Sequence, residues 1–192
     1  MKRPFQALLC GLMRKNCLYL SGITLVLLLG LSCGKDSGDE LFLLKFPPPP
    51  IEFEILPGLN TQDTHIYTQS PIESKYEERL DASGHTDDEV DLIQSKDAYL
   101  SSKFEDVDLD FIRRVSVYIF DPSDPSNKIE YFYLDPIPYK EKTSIRLFPG
   151  ITDVSDWIKS GYFGVEIRLD YREVTPALIE MKLEFDLAAI NE

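Results

Sequence analysis

Two stretches towards the C-terminal end of the chain carry its clearest pattern. Phe163, Val165, Ile167, Leu169 and Tyr171 alternate with Gly164, Glu166, Arg168, Asp170 and Arg172, and Ile179, Met181, Leu183, Phe185 and Leu187 alternate with Glu180, Lys182, Glu184 and Asp186. A period of two buries one face of a strand and leaves the other in water, so both stretches are predicted strands. Pairing them as a hairpin sets Arg172 against Glu180, Asp170 against Lys182 and Arg168 against Glu184, with Leu169 facing Leu183. Opposite charges then meet all along the ladder, which favours this register.

The same reading extends upstream. Ile51-Glu52-Phe53-Glu54-Ile55 alternates apolar and acidic residues until Pro57-Gly58 stops it, and His65 to Thr68 is a short candidate strand. Val115, Val117 and Ile119 share one face of a strand from Arg114 to Phe120, and Ile129 to Leu134 is apolar on both faces, as a central strand is. Residues 143–148 form a shorter strand before Pro149-Gly150. Between these, residues 70–94 change character. Ser70-Pro71-Ile72-Glu73 has the form of a capping box with proline at the first helical position, Ile72, Tyr76 and Leu80 recur every four residues, and Thr86-Asp87-Asp88-Glu89 repeats the cap. Val154, Trp157 and Ile158 at helical spacing before Gly161 predict one short helical turn. The pattern as a whole predicts an all-β chain: an antiparallel, immunoglobulin-like β-sandwich of about seven strands with one or two short helices, with a small β-barrel as the alternative.

The amino-terminal part departs from this alternation. Arg14 and Lys15 precede an apolar run from Cys17 to Ser32, shorter than the roughly 20 residues that span a bilayer, and Cys33 follows a small residue. Cys10 and Cys17 fall in or before that run, so a form lacking residues 1–32 carries Cys33 alone and no internal disulfide. The stretch Leu31-Ser32-Cys33 resembles the lipobox of bacterial lipoproteins, although Gly30 stands where that pattern prefers leucine. The resemblance implies cleavage before Cys33, diacylglyceryl attachment to its thiol, and acylation of the new amino terminus. Two or three such chains hold a protein on a bilayer almost permanently. Gly34 after the cysteine, in place of aspartate, implies delivery to the outer membrane, with the domain facing either the periplasm or the cell surface. The methionine at 13 opens a compact signal of its own and is a candidate true start.

The organisation expected is therefore a signal peptide over 1–32, a lipidated tether over 33–50 that is acidic at Asp36, Asp39 and Glu40 and stiffened by Pro47–Pro50, and a sandwich domain over 51–192. An acidic helical or loop insertion interrupts the domain around 70–97. Small surface lipoproteins with one sandwich domain resemble this arrangement over residues 100–190.

Charge and chemistry then narrow the functions. The net charge is −13, and four of the 20 basic residues (Lys2, Arg3, Arg14, Lys15) lie before Cys33, so the remainder sets 16 basic against 33 acidic residues, a net charge of −17. Such a field repels phosphate, which excludes nucleic acid as an expected partner. His65 and His85 have no third nitrogen or thiol nearby for zinc. Asp106, Asp108 and Asp110 have the spacing of a calcium loop but lack its glycine and distal glutamate, and they are expected on a strand, where they simply share one face; Asp121 and Asp124 do no better. No phosphate loop or nucleophile elbow is present, so neither a catalytic residue nor a metal or other cofactor is expected. Tyr131, Phe132, Tyr133, Tyr139, Trp157, Tyr162 and Tyr171 suit core packing first and a ligand platform second. The function expected is a non-catalytic envelope lipoprotein, held in the bilayer through Cys33, that binds an envelope protein or serves structurally. Capture of a glycan or peptide at the cell surface is the alternative.

Overall fold

The computed structural model describes residues 38–139 and 143–191; the expected signal peptide, the candidate start at Met13 and Cys33 lie outside the described residues. Eight strands form one antiparallel sheet: β1 (Asp39–Ile55), β2 (His65–Glu73), β3 (Leu92–Ser102), β4 (Ile112–Phe120), β5 (Lys128–Leu134), β6 (Ser144–Pro149), β7 (Tyr162–Tyr171) and β8 (Ile179–Asn191). Among the described residues, two short helices, α1 (Tyr76–Ser83) and α2 (Ser155–Lys159), and a 3-10 turn at Asp87–Glu89 accompany it. The all-β, antiparallel fold with short helices is as the alternation predicts.

The strand order is β1-β8-β3-β6-β5-β4-β7-β2. Between β5 and β6, among the described residues, only Phe132 with Pro149 and Tyr133 with Phe148 are paired. The sheet curls at this narrow join into two layers, β1-β8-β3-β6 and β5-β4-β7-β2. Their inner faces meet in the core, where Phe185 of β8 packs against Phe132 of β5 and Phe163 of β7. At the other end of the order the edges approach without pairing, and the Phe53 and Tyr67 rings lie 4.6 Å apart between β1 and β2.

The alternating residues bury as expected. Val165, Ile167 and Leu169 of β7, Met181, Leu183 and Leu187 of β8, and Val115, Val117 and Ile119 of β4 are all inside. Val154 and Ile158 are buried beneath α2, with Trp157 packed against the same core.

Four expectations are corrected. First, β7 and β8 are not a hairpin: Leu169 pairs with His65 and Val115, and Leu183 with Ile51 and Leu100. The reason lies in the connection, residues 172–178, which crosses from one layer to the other. It is laced at Thr175 to the β1–β2 connection, which makes the same crossing: Leu59 N donates to Thr175 Oγ1, Thr175 Oγ1 donates to Leu56 O, and Gly58 N donates to Thr175 O. Second, the tether does not run to residue 50. Strand β1 starts at Asp39 and pairs with β8 through Phe46 and again from Ile51. The proline run falls in the break of that ladder on an edge strand, where a missing N–H forfeits no sheet hydrogen bond. Third, Ser70–Glu73 is not a helix cap but the end of β2, because Ile72 and Glu73 pair with Phe163 and Tyr162. The helix starts at Tyr76, behind Lys75 in the left-handed region, and the insertion ends early, since β3 begins at Leu92. The second capping box, Thr86 with Glu89, is present. Fourth, Asp106 to Asp110 lie in the loop between β3 and β4, not on a strand.

Candidate functional site

Strand β7 lies between β4 and β2, so its outward residues are flanked on both sides, and two of them are carboxylates. Glu166 (7 % exposed) and Asp170 (5 %) are the charged residues buried among those described, and Ser116 beside them on β4 is also buried. The register explains their company. On β4, Arg114, Ser116 and Tyr118 stand opposite Asp170, Arg168 and Glu166; on β2, Ile66 and Thr68 stand opposite Arg168 and Glu166.

A buried carboxylate stays ionised only when cations and donors replace its water. Asp170 accepts from Thr64 Oγ1 at 2.7 Å and Arg113 Nη2 at 3.2 Å, with Arg114 Nε at 2.9 Å. Glu166 accepts from Lys128 Nζ at 2.6 Å and Arg168 Nε at 2.7 Å. Burial is the largest influence on each carboxylate and pushes its pKa up; the hydrogen bonds and charges of Lys128 and Arg168 on Glu166, and of Thr64, Arg113 and Arg114 on Asp170, outweigh it. Both groups are held below the usual carboxylate range. Their lone pairs are engaged and their basicity is reduced, so the arrangement suits fixing arginines rather than accepting a proton from a substrate.

The arginines are held in a particular way. Arg114 and Arg168 each meet their carboxylate through Nε, and neither Nη pair has a hydrogen-bond partner among the described residues. Arg168 also lies over the Tyr118 ring, with Cζ 4.3 Å from its centre, and Tyr118 reaches Glu130 through its hydroxyl at 3.4 Å. Next to this network Tyr133 and Phe148 are exposed, their centroids 6.1 Å apart and their planes tilted by 54°.

The expected candidates disperse. Tyr131, Phe132 and Tyr171 are core residues, Trp157 is half-buried, and Tyr133, Tyr139 and Tyr162 are exposed on different elements. His65 meets the Asn60 carbonyl and stacks on Tyr171, while His85 stands beside Glu89. Asp121 and Asp124 are committed to their own turns through the backbone N–H groups of Ser123 and Ser126. Among the described residues no group of three or more His, Cys, Asp or Glu side chains could hold a metal ion. A shallow depression of about 320 Å³ at the start of α1 is lined by Glu73, Glu77 and Glu78 against Lys75 and Lys159, a balance that selects no ligand class.

The outer face of β4 and β7 was not singled out by sequence reading, which saw the β7 charges and matched them to β8. Its signal was the doublet Arg113-Arg114 opening a strand in a chain where basic residues are scarce. No family model matches the chain, and neither curated proteins nor solved structures contain a match to it.

Proposed function

We propose that this chain is a non-catalytic lipoprotein of the outer membrane, anchored through Cys33, whose sheet domain binds a protein of the cell envelope. The anchor rests on the basic start, the apolar run and the small residue before Cys33. With β1 beginning at Asp39, the linker left by this reading is residues 34–38.

The observation that carries the binding role is the pair of buried carboxylates on the outer face of β7, which hold four cationic side chains in place on an otherwise acidic domain. Burying charge costs stability unless it is paired, and two paired carboxylates on one outer sheet face support a recognition role for that face. A second reading, the capture of a glycan at the cell surface, rests on the exposure of Tyr133 and Phe148 alone.

Two measurements test the proposal. Metabolic labelling with an alkyne-bearing fatty acid should mark the wild-type protein and not Cys33→Ser, and labelling that survives the substitution removes the anchor. In-cell crosslinking of the full chain should then yield one recurring envelope protein; no such partner, while control proteins crosslink efficiently, removes the binding role.

A further inference from the structure

A guanidinium has two hydrogen-bonding edges, and a carboxylate that occupies the Nε edge leaves the Nη1–Nη2 fork for a second anion. Both Arg114 and Arg168 are in this state, with Asp170 and Glu166 on their Nε edges. The two arginines are diagonal neighbours, since Arg114 stands opposite Asp170 and Arg168 opposite Ser116. Diagonal residues on paired strands lie roughly 7–8 Å apart, close enough for both forks to reach one ligand. Arg113 and Lys128 add charge at the flanks, so four cations surround two carboxylates.

The face also has an apolar side. Phe148, Tyr133, Ser116, Arg168 and Ile66 form one row across β6, β5, β4, β7 and β2. Adjacent strands are about 4.8 Å apart, so the row spans roughly 19 Å, the length of a short extended peptide. The small, buried Ser116 leaves a low point between the aromatic pair and Arg168.

We infer that this face binds an extended protein segment through one or two of its carboxylates, seated on the forks of Arg114 and Arg168, with a neighbouring apolar side chain of the segment against Tyr133 and Phe148. The inference rests on the protein-binding reading above and gives it a site and a chemistry. A sugar ring needs an open aromatic face, whereas Arg168 covers Tyr118 and the Tyr133 and Phe148 planes diverge by 54°. Irregular apolar side chains tolerate such tilted rings. The net charge of −17 beyond Cys33 repels a partner that is acidic throughout, so the anionic contact is short and lies within a neutral or basic segment.

The experiment selects a phage-displayed library of random dodecapeptides on the full chain, alongside Arg114→Lys/Arg168→Lys and Arg114→Gln/Arg168→Gln. Lysine keeps a charge beside each buried carboxylate but has no fork, so the lysine variant separates recognition from folding. Enriched peptides should share an Asp or Glu next to an aromatic or aliphatic residue, and should bind the lysine variant about tenfold more weakly. No enrichment, enriched sequences without an acid, or equal binding to the lysine variant each overturn the inference. Tighter binding of an array of carboxylated glycans overturns it in favour of a sugar ligand. The crosslinked envelope protein distinguishes the two levels: a partner that both variants still capture in cells removes this site and leaves the binding role standing.

Discussion

The Arg168 guanidinium carbon lies 4.3 Å from the centre of the Tyr118 ring while its Nε donates to Glu166, so one side chain is fixed by a ring on β4 and by a carboxylate two residues away on its own strand. Removing it leaves Glu166 buried with Lys128 as its remaining cation. Arg168→Met should therefore lower stability by about 1–3 kcal/mol in urea unfolding. Replacing Glu166 with leucine in the same chain should recover most of that loss, because the uncompensated charge is gone. The coupling between Tyr118→Leu and Arg168→Met in a double-mutant cycle should be about 0.5–1 kcal/mol.

Acid should loosen the same face. Burial raises the pKa of Glu166 and Asp170, but their partners lower it further, and the net position is below the ordinary value. A carboxylate depressed in the folded state adds stability that is fully present above the unfolded pKa and is lost as pH falls through the folded one. The urea midpoint should thus hold steady at neutral pH and drop as pH falls below the usual carboxylate range. Asp170→Asn should be less stable at neutral pH and show a flatter decline; an unchanged slope would remove Asp170 from the titrating set.

The crossing connections share one buried hydroxyl. Thr175, 2 % exposed, accepts from Leu59 N at 2.9 Å and donates to Leu56 O at 2.6 Å. Thr175→Val keeps the shape, removes both bonds and leaves a donor and an acceptor unmet, at a cost of about 1–3 kcal/mol. Hydrogen exchange should speed up at the Leu59 amide first, ahead of the amides of β7.

That hydroxyl also marks where sequence reading stops. Inner faces were legible because burial follows local alternation: Val165, Ile167, Leu169, Met181, Leu183 and Leu187 are all inside. Neighbours were not, since the charge match of Arg168 with Glu184 is satisfied equally well elsewhere. Arg168 meets Glu166, and Lys182 lies 3.5 Å from Glu105 and from Glu184. Nothing in residues 172–178 distinguishes a turn back from a crossing until Thr175 has its partners. Local signals lost similarly at Ser70–Glu73, where pairing of Ile72 and Glu73 with β7 outweighs a helix cap, and at Pro47–Pro50, where an edge position tolerates prolines. The candidate site needed the same missing information. Glu166, Arg168 and Asp170 read as outward from β7 alone, but Arg113, Arg114 and Lys128 reach them from β4 and from the start of β5.

Gly164 has no room for a side chain. A Cβ there would sit 2.3 Å from ring carbons of Phe120, the residue opposite it on β4. Phe120 is buried, so its ring cannot swing freely into water. Gly164→Ala should cost about 1–3 kcal/mol from overpacking, measured by thermal unfolding. Adding Phe120→Leu, which removes the ring, should relieve part of the penalty, and a double variant no better than the single one would contradict the clash.

The two outer edges of the sheet differ in how they resist pairing with other chains. Strand β1 has its proline run where the ladder to β8 breaks between Phe46 and Ile51, so that stretch of edge has no N–H to offer an incoming strand. Strand β2 from His65 to Gln69 has neither proline nor a carboxylate, and its Ile66 is exposed. Replacing Pro48 and Pro49 with threonine restores two backbone donors to β1 and adds β-branched residues. The variant should unfold at nearly the wild-type urea concentration yet form oligomers at high protein concentration, read by light scattering. Restoring one proline should suppress them. If the threonine variant stays monomeric, the prolines are spacers of the bulge alone, and protection of that edge must come from the charged residues Glu40, Glu52 and Glu54 along the strand.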